Sequence, residues 1–345
     1  MLRLIAMLMI VFSHYWTYAV PSKQKPKLGV GFELLGSWGK WGCAVFVLIT
    51  GYFLCTSKFQ LKKLFKLLFQ ISFFSFVIAF IFYFAHNNTN PPNSLVKVFM
   101  HLAPNTFRAY ISSNWFMIPY VFLFLMFPLL NIIIRNTGPR LHLIILAIGI
   151  FYISILPKIL SECFKTSAYA PYIHSDLMTF VLLYFIAAYL RLYPNKILKN
   201  NLIILPISLV VTMVIIVTIC CSSYRDTALH GPFVILSATL WLVVFANLKF
   251  SFKPINIISA GTLTVYLIHE ARNFRTLFWK EWFVTNGSIW QNLYSVAIVF
   301  SSCLVIGIIY NYTINWMLAK YLDRPIDKLQ VKICQYLKCE NRIDK

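Results

Sequence analysis

The feature that most restricts this chain is a succession of apolar runs, each about the length that spans a bilayer, recurring from end to end. Ten candidate spans follow: 2–20, 39–56, 66–86, 114–134, 141–157, 177–193, 202–220, 232–249, 256–270 and 290–316. Hydrocarbon offers no water to backbone groups, so each run must satisfy its own peptide hydrogen bonds as a helix. The expected fold is therefore all-α, a polytopic membrane protein of about ten transmembrane helices. The charge content agrees: 12% of residues are charged, against about 25% in soluble domains. The mean hydropathy is +0.73.

A net charge of +21 would suit a nucleic-acid partner, but the basic residues sit in short gaps between apolar runs. That distribution is one of membrane topology and attraction to anionic lipid, so the bilayer is the expected partner and nucleic acid is not. Six of the eight cysteines (Cys43, Cys55, Cys163, Cys220, Cys221 and Cys303) fall inside apolar runs, as small buried apolar side chains do. No Cys/His spacing suggests a metal site, and no structural disulfide is expected.

Charge asymmetry sets the expected orientation. The even-numbered gaps hold Lys58, Lys62 and Lys63, then Arg135 and Arg140, then Lys196 and Lys199, then Lys249 and Lys253, and no acidic residue. The acids before the tail (Glu33, Glu162, Asp176, Asp226, Glu270, Glu281) fall in or beside odd gaps, which also carry Lys23, Lys25 and Lys27. By the positive-inside rule the even gaps and both termini are cytoplasmic. The domain expectation is one transmembrane unit over 1–322 and a basic cytoplasmic tail over 323–345. The first run is a poor signal peptide, since Tyr18-Ala19-Val20-Pro21 does not resemble a cleavage site. The stretch Leu95–Leu102, in the longest gap, reads as an outer loop with an interfacial helix.

Two titratable residues share the first run: Arg3 and His14, with ten residues between them. Eleven helical steps make about three turns, so both lie on one face about 16 Å apart. Ionisable groups within a span are costly and mark functional sites by default.

This pair resembles the R-x10-H signature of the acyltransferase-3 family of integral membrane acyltransferases. Four further stretches support the resemblance in order. Phe46-Val47-Leu48-Ile49-Thr50-Gly51-Tyr52-Phe53-Leu54 is similar to the family's FF-x-I-S-G-F-L span, with Thr50 where Ser is usual. Asn114-Trp115-Phe116 with Tyr120 and Pro128 resembles its L-W-F…Y…P span, and Tyr266-Leu267-Ile268-His269 matches its Y-L-x-H close. Asp323-Arg324-Pro325 is similar to the terminal E-x-P. Two features depart from the pattern. Lys63-Leu64-Phe65-Lys66 stands where the family has R-x-x-R, and the chain begins almost on Arg3, where a short lead is usual.

The resemblance implies acyl transfer from a cytoplasmic acyl-CoA co-substrate, most often acetyl-CoA, to a hydroxyl of a glycan or lipid-linked sugar, with no bound cofactor. Such chemistry needs a base for the hydroxyl, which His14 would supply. Arg3 would bind donor phosphate or orient the thioester; alone, it would read as a snorkelling anchor. Lys63 and Lys66, three residues apart on one helix face, would neutralise donor phosphate, or serve as ordinary positive-inside charge. His269 would orient His14 or bind the acceptor, with Tyr266 in support, or be an interfacial histidine. Trp115 is either an interfacial anchor or a sugar-stacking platform. Glu33, His101, Arg108, His174 and Asp176 are further outer-side candidates for an acceptor pocket. The expected location is the cell membrane. A polysaccharide polymerase or flippase would share the multi-span basic pattern. A secondary transporter would show repeat symmetry, which the sequence lacks.

Overall fold

The computed structural model describes residues 1–20, 36–86, 115–164, 175–221, 228–249, 252–271, 274–275, 277–282 and 289–336. Among these, the chain is helical with no strand. The helices are α1 (Leu2–Tyr18), α2 (Gly39–Leu54), α3 (Leu61–His86), α4 (Met117–Asn136), α5 (Pro139–Ile150), α6 (Leu156–Phe164) and α7 (Asp176–Leu192). They continue with α8 (Asn201–Cys221), α9 (Pro232–Asn247), α10 (Lys253–Ala260), α11 (Thr262–His269), α12 (Ile289–Tyr310) and α13 (Trp316–Tyr336). Lys23, Lys25, Lys27, Glu33, His101, Arg108, Asn114, His174, Asp226 and the stretch Leu95–Leu102 lie outside the described residues.

Four helical stretches are long and apolar enough to cross a membrane: Leu61–Ile81, Met117–Asn136, Pro139–Leu160 and Trp290–Gln335. Shorter apolar helices cover Gly39–Leu54, Asn201–Val217 and Pro232–Asn247. The bundle's outside is apolar: Leu202 and Trp290 are 86% and 77% exposed, and Leu129, Ile148, Val210 and Met213 share that surface. A soluble protein rarely leaves so continuous an apolar exterior, and lipid contact accounts for it.

α2 lies at the centre, packed between α1, α7 and α9. Its sequence explains why. A Cβ on Gly42 would come within 2.5 Å of the Ala6 carbonyl oxygen, and one on Gly51 within 3.0 Å of the Tyr184 backbone. Between apolar helices, where hydrophobic burial gives no preference over lipid, such small residues let backbones approach and gain van der Waals contact. The same device holds α12 against the junction of α10 and α11. Gly307 there meets Gly261, whose oxygen would lie 2.7 Å from an added Cβ.

The run expected as the ninth span is broken at Gly261 into α10 and α11, so Thr262 to His269 forms a separate short helix that is buried throughout apart from Leu263. The chain from α5 to α6 passes through a π-turn over Phe151–Ile155. Pro157 follows it, and its missing N–H removes one helical bond there. A second π-turn, Asn311–Asn315, joins α12 to α13. The continuous helix Trp290–Gln335 has 46 residues, about 69 Å at helical rise, so it outruns a hydrocarbon core of about 30 Å. Its last part is α13, rich in charge, and the boundary expected at 323 falls inside that helix.

α13 packs against α3. The Lys66 ammonium reaches both carboxylate oxygens of Asp323 at 2.8 and 3.0 Å, and Lys62 meets Asp327 at 2.9 Å. Gln330 accepts from the Leu61 amide and donates to the Phe59 carbonyl. Two motif residues knit α2 to α4: the Thr50 hydroxyl donates to the Phe46 carbonyl at 2.9 Å and accepts from Tyr120 at 3.0 Å.

Candidate active site

α1 and α11 meet where α1 presents His14 and α11 ends in His269. His14 is part-buried, while His269 is fully buried and Glu270, the next residue, is 2% exposed. His14 Nδ1 lies 2.8 Å from His269 Nε2 and 3.0 Å from Glu270 Oε2. Glu270 Oε1 accepts from Arg275 Nη1 at 3.2 Å, and the same Nη1 donates to the Tyr18 hydroxyl at 3.2 Å. The Arg275 guanidinium also lies over the Tyr18 ring, 4.6 Å from its centre. A carboxylate this buried is very costly unless paired, and here a cation and an imidazole flank its two oxygens.

The hydrogen-bond network assigns the protons. His269 Nδ1 faces the Val265 carbonyl, which can only accept, so Nδ1 carries the hydrogen. In the neutral ring, Nε2 then holds a lone pair. His14 Nδ1 therefore faces two acceptors, the His269 lone pair and the Glu270 carboxylate, and must carry its own hydrogen. This leaves the lone pair of His14 on Nε2. The arrangement fixes the tautomer a general base requires and places an anion beside the imidazolium formed when it takes a proton.

The ligating atoms of His14, His269 and Glu270 lie within 4.8 Å of one another, close enough to raise the question of a metal. Two nitrogens bound to tetrahedral zinc sit about 3.3 Å apart, given Zn–N bonds near 2.05 Å. The observed 2.8 Å is instead a hydrogen-bond separation, and the Arg275 guanidinium already occupies the far side of Glu270. The set fits a proton relay better than a cation cage.

Around this centre, Tyr266 is buried, with its ring edge-on to His269 at 6.0 Å and against Phe116 at 5.4 Å. Trp115 lies beside Phe116, and the Lys40 ammonium sits 3.1 Å from the centre of the Trp115 ring. Lys40 is within electrostatic reach of Asp176, at the start of α7, and of Glu270. Of the residues singled out in the sequence, His14, His269, Tyr266 and Trp115 thus gather at one end of the bundle. Arg3 stands at the other end of α1, exposed, on the wall of a cavity of about 590 Å³. Lys63 is exposed at the start of α3 and Lys66 is held by Asp323, so neither joins His14.

Sequence reasoning passed over Arg275, Tyr18 and Lys40, and it noted Glu270 only as a neighbour of His269. The Tyr18 position, four residues after His14 and so on the same helix face, was the one local signal available.

A helical bundle with an apolar exterior and helices long enough to cross a bilayer is a membrane protein, and this one carries a His–His–Glu cluster at one end. The model of the acyltransferase-3 family, described as an acyltransferase domain, matches residues 1–312. The chain belongs to this family and is a membrane acyltransferase. No curated protein and no solved structure matches it.

Proposed function

We propose that the protein is an O-acetyltransferase of the cell membrane, moving an acetyl group from cytoplasmic acetyl-CoA to a hydroxyl of a surface or exported polysaccharide or its lipid-linked precursor. The observation that carries this reading is the placement of His14 Nδ1 within 3.0 Å of His269 Nε2 and Glu270 Oε2, from which we infer that Nδ1 carries the hydrogen and Nε2 the lone pair. In the proposed reaction, Nε2 takes the acceptor hydroxyl proton as the oxygen attacks the thioester carbonyl carbon. The C–S bond breaks, and the imidazolium returns the proton to the departing thiolate. Glu270 stabilises the imidazolium meanwhile, and Arg275 holds Glu270 in place.

The reading uses ten spans with both termini in the cytoplasm. Arg3 then lies on the donor side and His14 toward the acceptor side, with Lys63 and Lys66 adding positive potential at the donor face. Trp115 and Tyr266 would flank the acceptor beside His14.

The test is NMR of the surface polysaccharide from wild-type, deletion and His14→Ala strains, together with turnover of labelled acetyl-CoA by purified protein. Loss of acetyl signals at unchanged chain length, with turnover by the wild type and not by His14→Ala, is expected. Retained acetyl groups with collapsed chain length would point to a polymerase or flippase and end this reading.

A further inference from the structure

A cavity of about 590 Å³ lies at the Arg3 end, and its chemistry is one-sided. Arg3 from α1, Arg191 from the last turn of α7, and the polar groups of Tyr52, Asn256 and Ser259 line it, with apolar side chains between. Among the described residues no carboxylate faces it. A second cavity of about 260 Å³ shares Tyr52 and Arg191 with the first and adds Lys199 and Asn247, again with no acid among the described residues on its wall. Arg191 thus lies on the walls of both basic cavities. It is also held: its Nη1 donates to the Tyr52 hydroxyl at 3.2 Å, and its guanidinium lies 4.9 Å from the centre of the Tyr52 ring. Asn247 braces the smaller cavity by donating to the Leu198 carbonyl at 2.6 Å and to Asn201 Oδ1 at 2.9 Å. An arginine that only complements a helix C-terminus or the positive-inside rule needs no such fixing. A guanidinium fixed by a neutral partner keeps its remaining N–H groups in a planar fork suited to phosphate.

The geometry points to a phosphate site built around Arg191. Arg3 and Arg191 hold a diphosphate in the larger cavity, and Lys199 with Arg191 holds a separate phosphate in the smaller one. An acyl-CoA donor carries phosphate in this pattern, a diphosphate and a distinct 3′-phosphate. The larger cavity also begins on the α1 stripe that leads to His14. This assignment rests on the acyl-transfer reading. It places donor recognition at Arg191 and Lys199, with Lys66 tied instead to Asp323.

The experiment is calorimetric titration of coenzyme A and 3′-dephospho-coenzyme A into full-length protein in phosphatidylcholine nanodiscs. Arg191→Ala is expected to weaken coenzyme A binding by about tenfold or more, as loss of charge-assisted bonds does. Lys199→Ala is expected to weaken coenzyme A but leave dephospho-coenzyme A unchanged. Arg191→Lys, which keeps the charge and loses the fork, falls between, and Tyr52→Phe gives a smaller loss with the fold intact by size-exclusion chromatography. His14→Ala binds coenzyme A like wild type without turnover, so binding and chemistry are read separately. Equal affinity in wild type and Arg191→Ala, with wild-type turnover intact, overturns this site and leaves acyl transfer standing. No binding and no turnover of acetyl-CoA by wild type overturns the acyl-CoA reading itself. A parallel set of nanodiscs with phosphatidylglycerol identifies the other source of phosphate. If Arg191→Ala changes lipid retention alone, the site serves a lipid headgroup and the donor assignment fails.

Discussion

Glu270 and Arg275 form the pair on which the proposed base depends. Glu270→Gln keeps the shape of the side chain and removes its charge, so the imidazolium of His14 loses its counter-ion. Turnover of labelled acetyl-CoA is expected to fall by about a hundredfold or more, while coenzyme A affinity stays as in wild type. Arg275→Met acts differently: it strands a buried carboxylate, at a cost of about 3 kcal/mol. The double variant Glu270→Gln/Arg275→Met is then more stable than Arg275→Met alone, because no unpaired charge remains. Thermal unfolding in one detergent compares the three, and additive losses would remove the ion-pair explanation. At this scale sequence reading singled out His14 as an ionisable group in an apolar run and His269 through its resemblance to the family's Y-L-x-H close. It passed over Arg275 because nothing in its neighbourhood announces that the chain turns back after α11 to lay a guanidinium on Glu270.

Helix contacts in this bundle depend on small residues and a few hydrogen bonds rather than on hydrophobic burial. Gly42→Val would drive side-chain carbons into the Ala6 carbonyl of α1 and force α1 away from α2. Loss of folded protein by size-exclusion chromatography is expected, and a variant as stable as wild type would mean that the two helices are not in such contact. Thr50 tests the milder case. Thr50→Ser keeps a hydroxyl between Phe46 and Tyr120 and is expected to match wild type. Thr50→Val loses about 1 kcal/mol in thermal unfolding. This accounts physically for Thr standing where the family usually has Ser: the helix pair needs the hydroxyl. The break between α10 and α11 was half-legible, since Gly261, Thr262 and Thr264 mark a weak span. That Gly307 would press on Gly261 was not, because the two are brought together only by packing.

Across the molecule, α13 runs on from the bundle and is tied back to α3 by part-exposed ion pairs. Such pairs contribute little to stability, about 0.2–1 kcal/mol each, and are weakened by salt. Asp323→Asn/Asp327→Asn should therefore barely change the melting temperature, yet should speed limited proteolysis within α13, more so at low salt where wild type is best held. An unchanged cleavage rate would show that the apolar contacts of α13 suffice. By itself the sequence determined that the chain is helical and membrane-bound, because apolar composition and run length are local properties that lipid translates directly into helices. It also determined that one face of α1 carries both a cation and an imidazole, because helical periodicity is local too. The tertiary structure decided which groups they meet. Only packing brings His269, 255 residues along the chain, against His14, sets Arg191 on a wall shared with Arg3, and spends Lys66 on Asp323. The physical reason is that relative rotation and depth of helices in lipid follow from close contact between backbones, to which hydropathy is blind.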